Sequence, residues 1–281
     1  LGVILSGNDK DIQTGVVMDQ VFGARATRST SLIPTLKYKK TDFFAKGLDL
    51  NLFAAYNLSQ NRFIDTTRVK YNWLQETIPT STAELLRTRL KNEDHDGLVN
   101  ANATYRFGAG YSLGLNYLLT DFDRKSSDVE DPNNVTHLFP QKLKKQVIGL
   151  AWQYQTTRFT GTLFSKFYNL DAQSFEPVTN GTGVPTYTRS EIQKKQWGYG
   201  GAAAYFILPK LQGKVSFEHS YRLPEATELL GDGLYTRRNA ALKPESSNNL
   251  NLGALYAFKV SEQHHFGLEA SYIYRNSKDY I

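Results

Sequence analysis

Val99-Asn-Ala-Asn-Ala-Thr-Tyr-Arg-Phe107 alternates without a break. Val99, Ala101, Ala103, Tyr105 and Phe107 fall on one side; Asn100, Asn102, Thr104 and Arg106 fall on the other. Successive side chains of a strand point to opposite faces, so this stretch reads as a strand with one apolar and one polar face. Leu48, Leu50, Leu52, Ala54 and Tyr56 likewise oppose Asp49, Asn51, Ala55 and Asn57, with Phe53 the exception. Phe266, Leu268, Ala270, Tyr272 and Tyr274 oppose Gly267, Glu269, Ser271 and Arg275.

Extended along the chain, the pattern predicts about eleven strands, near 12–24, 27–38, 47–60, 97–108, 111–124, 143–156, 158–171, 192–207, 211–222, 245–258 and 264–277. Most are longer than the ~5–6 residues of an average globular strand and reach the ~9–11 needed to cross hydrocarbon at a tilt. Tight turns at Gly108–Gly110, Thr156–Thr157 and Leu208–Lys210, and modest ones at Lys40–Lys46 and Lys259–Gln263, alternate with long polar loops near 61–96, 125–142, 172–191 and 223–244. An up-and-down membrane barrel puts short turns in the periplasm and long loops outside, whereas a sandwich has no reason to sort them. Tyr38, Phe43, Phe44, Phe107, Tyr111, Tyr154, Phe159, Phe206, Phe258 and Phe266 gather at the short-turn ends, as an interfacial aromatic girdle does. The expected fold is therefore all-β, an antiparallel transmembrane β-barrel.

Composition agrees. The 281 residues are 13% aromatic, rich in Tyr and Phe, yet only 40% hydrophobic. A soluble core favours aliphatic residues, whereas strands with an oily and a wet face have this balance. Cysteine is absent, which excludes disulfides, zinc–thiolate sites and a thiol nucleophile. No stretch approaches the ~18 apolar residues of a membrane helix. Leu1–Leu5 is apolar, but Gly7, Asn8 and Asp9 follow at once, so the opening does not read as a signal peptide. The net charge of +6 comes from clusters near strand ends, at 37–40, 142–145 and 194–195, rather than from one aromatic-laced face; no nucleic-acid partner is expected.

Residues 217–253 carry the most specific signal. Phe217-Glu-His-Ser-Tyr-Arg-Leu-Pro-Glu-Ala-Thr-Glu-Leu-Leu-Gly-Asp-Gly233 is followed by Asn239-Ala-Ala-Leu-Lys-Pro-Glu-Ser-Ser-Asn-Asn-Leu-Asn-Leu-Gly253. The pair resembles the signature of TonB-dependent outer-membrane receptors: an aromatic-Arg-Ala-Pro, then Glu-Leu, then Asn-Pro-x-Leu-Lys-Pro-Glu. Tyr221, Arg222, Pro224, Glu228 and Leu229 match the first half, and Asn239, Leu242, Lys243, Pro244 and Glu245 the second; Leu223 and Ala240 depart from it. Pro224 stops one ladder and Pro244 delays the next, so the segment between them is expected to be a defined loop.

The resemblance implies active uptake of a scarce nutrient, such as a ferric siderophore or similar large ligand, across the bacterial outer membrane. Its implied partners are TonB, membrane lipid and a small-molecule or metal-chelate ligand, with no cofactor and no enzymatic activity. The family barrel has 22 strands, so residues 1–281 read as a partial barrel of about 11, with no recognisable plug domain, TonB-interacting box or closing terminal aromatic. A passive porin-like channel and a soluble β-rich carbohydrate-binding or hydrolytic protein are the alternatives.

Other features are weighed against plainer readings. Haem-binding relatives commonly carry a His between the signature halves; 223–244 has none but holds Tyr235, Arg237 and Arg238. The two arginines suit an anionic chelate and Tyr235 could stack on it, though solvated loop residues remain the plainer alternative. Asn92-Glu-Asp-His-Asp-Gly97 gathers cation ligands but matches no calcium loop, and reads rather as a solvated charged loop. Adjacent His264 and His265 would point oppositely and share no metal. Ser81-Thr-Ala-Glu84 reads as a capping box for a helix inside the longest loop. Gly198-Tyr-Gly-Gly-Ala-Ala203 fits Gly-x-Gly-x-x-Ala without the strand–helix context of a nucleotide fold; tight packing in a barrel wall explains it better.

Overall fold

Hydrocarbon offers no water to a bare amide, so a chain crossing it in strands must pair them side by side. The computed structural model describes residues 1–11, 25–65, 70–71, 77–78, 88–179, 185–231, 239, 241–259 and 261–279. Among these, eleven strands form one sheet in chain order, every neighbouring pair antiparallel. They are β1 (Gly2–Asp11), β2 (Arg25–Lys40), β3 (Leu48–Asp65), β6 (Thr88–Phe107), β7 (Tyr111–Asp128), β8 (Gln141–Gln155), β9 (Phe159–Thr179), β10 (Pro185–Leu208), β11 (Leu211–Arg222), β12 (Glu245–Lys259) and β13 (His265–Lys278). β4 (Lys70–Tyr71) and β5 (Thr77–Ile78) form a separate hairpin. β1 and β13 do not pair with each other, so the sheet is an open, partial barrel.

Register converts the alternation into two surfaces. Asn102 lies between Asn51 and Asn116, while Ala103 lies between Leu50 and Leu115. One surface carries Leu113, Leu115, Leu150, Trp152, Leu163, Trp197, Val215, Leu252 and Leu268, all exposed. Exposed large apolar side chains in one continuous band fit lipid rather than water. On β7 the band runs from Tyr111 to Leu119, roughly 27 Å at ~3.4 Å per residue. A ~40° tilt reduces that to roughly 21 Å, close to the ~25 Å apolar band of such barrels. The opposite surface is polar, with Asn102 and Asn116 bonded to Asn100, Arg106 to Asp49, Lys166 to Glu218 and Lys214 to Glu269.

The short-turn end carries the expected girdle. Tyr105, Phe107, Tyr111, Tyr154 and Phe159 form a chain of ring contacts with centroids 4.5–6.3 Å apart. Tyr256, Phe258 and Phe266 form a second. The turn between β6 and β7 depends on Gly110, at φ +88°; a Cβ there would lie 2.0 Å from the Gln155 carbonyl oxygen.

Several expectations are corrected at the opposite end. The strand expected at 12–24 lies outside the described residues, as does the capping box at 81–84. β1 escaped notice because Val3-Ile-Leu5 is apolar on both faces. The loop expected at 125–142 is present but shorter, at 129–140, whereas the described residues of those expected at 61–96 and 172–191 are strand: β3 reaches Asp65, β6 starts at Thr88, and β9 and β10 stay paired to Thr179 and Pro185. Above the hydrocarbon no lipid enforces an apolar face, so alternation fades while the ladder continues.

Replacing outward-facing Leu115 by Arg is expected to cost about 2–4 kcal/mol, because a charge at mid-band must leave water. Asn116→Ser, on the wet face one residue on, should cost under ~1 kcal/mol. Unfolding of the full-length protein from lipid by denaturant measures both.

Candidate functional site

Among the described residues the wet face carries a buried apolar cluster, where the long-loop segment after β11 returns to the wall. Leu143, Leu170 and Ala172, with Tyr168, Phe122, Val147 and Ile192 around them, take the inward positions of β7–β10 at this height. Against them pack Leu223 and, from the short helix α1 (Ala226–Leu230), Leu229 and Leu230. Leu143, Leu170 and Leu229 are only 1–2% exposed, and Pro224 is fully buried. Each such leucine contributes roughly 1.5–3 kcal/mol relative to exposure. The loop base is therefore folded into the barrel mouth, against the lumenal wall.

Charge fixes its position. Arg124 donates from Nε and Nη2 to the Asp94 carboxylate, at 2.7 and 2.9 Å, and from Nη1 to the Gly231 carbonyl at 2.9 Å. Both ionic side chains are under 10% exposed. A buried charge is tolerable only when its partner and hydrogen bonds are complete, and here the fork of one guanidinium serves carboxylate and loop together. Gly231 ends α1 at φ +72°, a conformation glycine adopts without strain. Lys145 Nζ meets Glu225 at 2.6 Å, tying the start of the helix to β8.

The signature residues hold one another. Arg222 pairs with Glu228 at 2.5 Å, and the other Glu228 oxygen accepts the Glu225 N–H at 2.7 Å, capping the helix. The Asn239 N–H donates to the Leu229 carbonyl at 3.1 Å, and its side chain accepts the Ala241 N–H. Leu242 packs on the buried cluster, Pro244 is buried, and Glu245 begins β12 directly opposite Arg222. Tyr221 stands edge-on to Tyr168, with ring centroids 5.9 Å apart. Lys243 is exposed and has no ion pair among the described residues. Burial would raise the Glu228 pKa, but the Glu225 N–H and the Arg222 guanidinium outweigh it and hold the carboxyl below its usual range.

Tyr235, Arg237 and Arg238 lie outside the described residues. The solvated-loop reading of 92–97 is corrected: these residues belong to β6, Asn92 and Asp94 are buried, and Asp94 is committed to Arg124. Gly198 and Gly200 are wall residues, where a Cβ would crowd the rings of Tyr168 and Phe164 at 3.0 and 2.6 Å. Arg124, Asp94, Lys145, Leu143 and Leu170 were missed. Their signal is parity, because Leu143 and Leu170 sit where the alternation calls for polar side chains.

Arg124→Met would leave Asp94 buried and unpaired, an expected loss of about 3–5 kcal/mol concentrated on loop docking. Faster amide exchange at Ala226–Leu230, with unchanged exchange in β8 and β9, is the expected readout. Because its pKa is lowered on folding, Glu228 stabilises the docked loop above the ordinary carboxylate range. That contribution fades as pH falls through the lowered value, so protection of the wild-type α1 amides, measured against their intrinsic exchange rate at each pH, should fall on acidification and Glu228→Gln should flatten the response.

Comparison with known proteins fits this geometry. A double mutant of the Serratia marcescens hemophore receptor HasR, in complex with its hemophore HasA and heme, superposes with TM-score 0.57 at 16% identity over 92% of this chain and 41% of that one. The copper transporter OprC gives 0.56 at 11% identity over 83% and 37%. The siderophore receptor PiuA from Acinetobacter baumannii gives 0.54 at 12% identity over 89% and 40%. The chain thus spans about two fifths of those receptors. No curated protein matches the sequence. The family described as TonB dependent receptor-like, beta-barrel matches residues 7–281, and with that the chain belongs to the TonB-dependent receptor β-barrels of the bacterial outer membrane.

Proposed function

We propose that the chain is the ligand-admitting wall of a receptor that takes up a ferric siderophore, or a similarly large anionic chelate, with energy relayed by TonB through a plug supplied by the remainder of the receptor. The observation that carries this reading is the clasp. The two ends of a loop are pinned inside the mouth, at Gly231 and Asn239, and seven residues, 232–238, separate them in the sequence. That stretch contains Tyr235, Arg237 and Arg238, a set suited to an anionic ligand with aromatic character: guanidinium forks for its oxygens and a ring for stacking. The absence of His from 223–244 favours a chelate over haem. The receptor family's match over residues 7–281 makes the porin reading the weaker one. No residue is assigned a catalytic role.

The test uses the full-length receptor in a deletion strain given one ferric siderophore at a time as its iron source. Arg237→Gln with Arg238→Gln, the clasp left intact, should weaken binding of the transported chelate at least tenfold, the loss of two charge-assisted contacts. Loss of TonB should abolish growth on it. Full growth without TonB, or unchanged affinity in the double variant, would overturn the reading.

A further inference from the structure

The two ion pairs of the clasp differ in what they join. Asp94 and Arg124 both belong to the wall, and only the Gly231 carbonyl comes from the loop. Lys145 and Glu225 join wall to loop: the lysine side chain is 15% exposed on β8, and the glutamate is 60% exposed at the start of α1. Any movement of the loop base away from the wall therefore takes the partner of Lys145 with it. An ammonium left half-covered without a counter-charge would oppose that movement.

The wall holds unused acceptors beside this lysine. Thr120 stands directly opposite Lys145 on β7, and its Oγ1 is buried without a hydrogen-bond partner. One strand further, on β6, Asp96 shares the lumenal face with Asp94; it lies opposite Phe122, past the Leu119 end of the apolar band. Asp96 is half-buried and has no hydrogen bond or ion pair among the described residues. Its neighbour across β3, Asn57, also leaves its Oδ1 buried without a donor. The adjacent Arg124 is taken by Asp94 and Gly231. Burial pushes the Asp96 carboxyl above its ordinary range; Lys145 is the charge that most opposes the rise, while Glu225, Asp94 and Asp121 add to it. Two strand spacings of ~4.8 Å and one two-residue step of ~6.8 Å separate the Cα atoms of Lys145 and Asp96, roughly 12 Å along a line that passes Thr120. The flexible four-carbon stem of lysine spans most of that line, and its head carries three donors.

We propose that Lys145 is a two-position latch, paired with Glu225 while the loop is docked and turned along the wall onto Asp96 and Thr120 when the loop base leaves the barrel mouth. The second position supplies a counter-charge and satisfies two acceptors that the docked state leaves idle. Release then strands no cation, and the loop base detaches while the wall stays folded. The movement is the same whichever ligand the receptor carries, so its failure leaves the proposed cargo and TonB dependence untouched.

The test is a thermodynamic cycle on purified full-length receptor in detergent, read by hydrogen exchange at one pH. The Leu229 and Gly231 amides, bonded to the Glu225 and Thr227 carbonyls, report the docked helix. Asp96→Asn removes the second partner with little change of shape and should raise their protection about threefold, the scale of a partly exposed ion pair. In a Lys145→Gln background the same substitution should change nothing, because the latch is gone. Heat-modifiable migration on gels reports that each variant is folded. Unchanged or lower protection in Asp96→Asn overturns the proposal. So does an equal gain with and without Lys145, which would mean that Asp96 only repels Glu225 and Asp94 in the docked state.

Discussion

Everything in this wall depends on pairing backbone amides where there is no water to receive them. A strand in hydrocarbon must give its N–H and C=O groups to two neighbours, so the sheet can be neither short nor broken inside the lipid. That requirement fixes period two along every strand, and the solvent on each side then dictates chemistry: Leu, Trp and Tyr toward lipid, Asn, Ser, Lys and Glu toward the lumen. The lumenal groups satisfy one another across strands, as Asn100, Asn102 and Asn116 do, because a polar face partly shielded from water gains from explicit partners.

The clasp is where this rule is broken, and the break has a cause. Leu143 and Leu170 face inward although their neighbours along the same face include Gln141, Lys145 and Lys166, because a second layer of protein covers them there. Apolar contact alone would let the loop slide over a greasy patch. The bidentate Arg124–Asp94 pair and its third bond to the Gly231 carbonyl admit one placement, since guanidinium geometry is planar and directional. Burying two charges costs desolvation, which the pair and its hydrogen bonds offset; what is gained is uniqueness of position.

The sequence was most legible where lipid enforces alternation. Ten of the eleven strands were readable, and the periplasmic ends of 97–108, 111–124 and 211–222 matched closely, because turn glycines and girdle aromatics mark where hydrocarbon stops. The outer ends were illegible for the converse reason: Thr88–Asp96 and Pro185–Glu191 are mostly polar on both faces, so nothing in their composition distinguishes strand from loop. β1 was hidden by Val3-Ile-Leu5, which is apolar on both faces. At the candidate site the signature residues could be named from sequence, but not Arg124 or Asp94, which lie some hundred residues away and meet the loop only because β6 and β7 carry them to the lumenal mouth.

The clasp also explains why a signature can identify a family while saying little of its cargo. Arg222 is committed to Glu228, Glu228 to the Glu225 amide, Asn239 to Leu229 and Ala241, and Leu229, Pro224 and Pro244 to the buried cluster. Groups so engaged have few donors or acceptors left for a ligand. Changing one loosens the loop whatever the cargo, so such residues must persist across receptors with different substrates. On the function proposed above, selectivity would reside where the clasp imposes nothing, in the residues between its two halves and on the polar lumenal face opposite, because those side chains alone keep donors and acceptors that the packing of the loop base does not use.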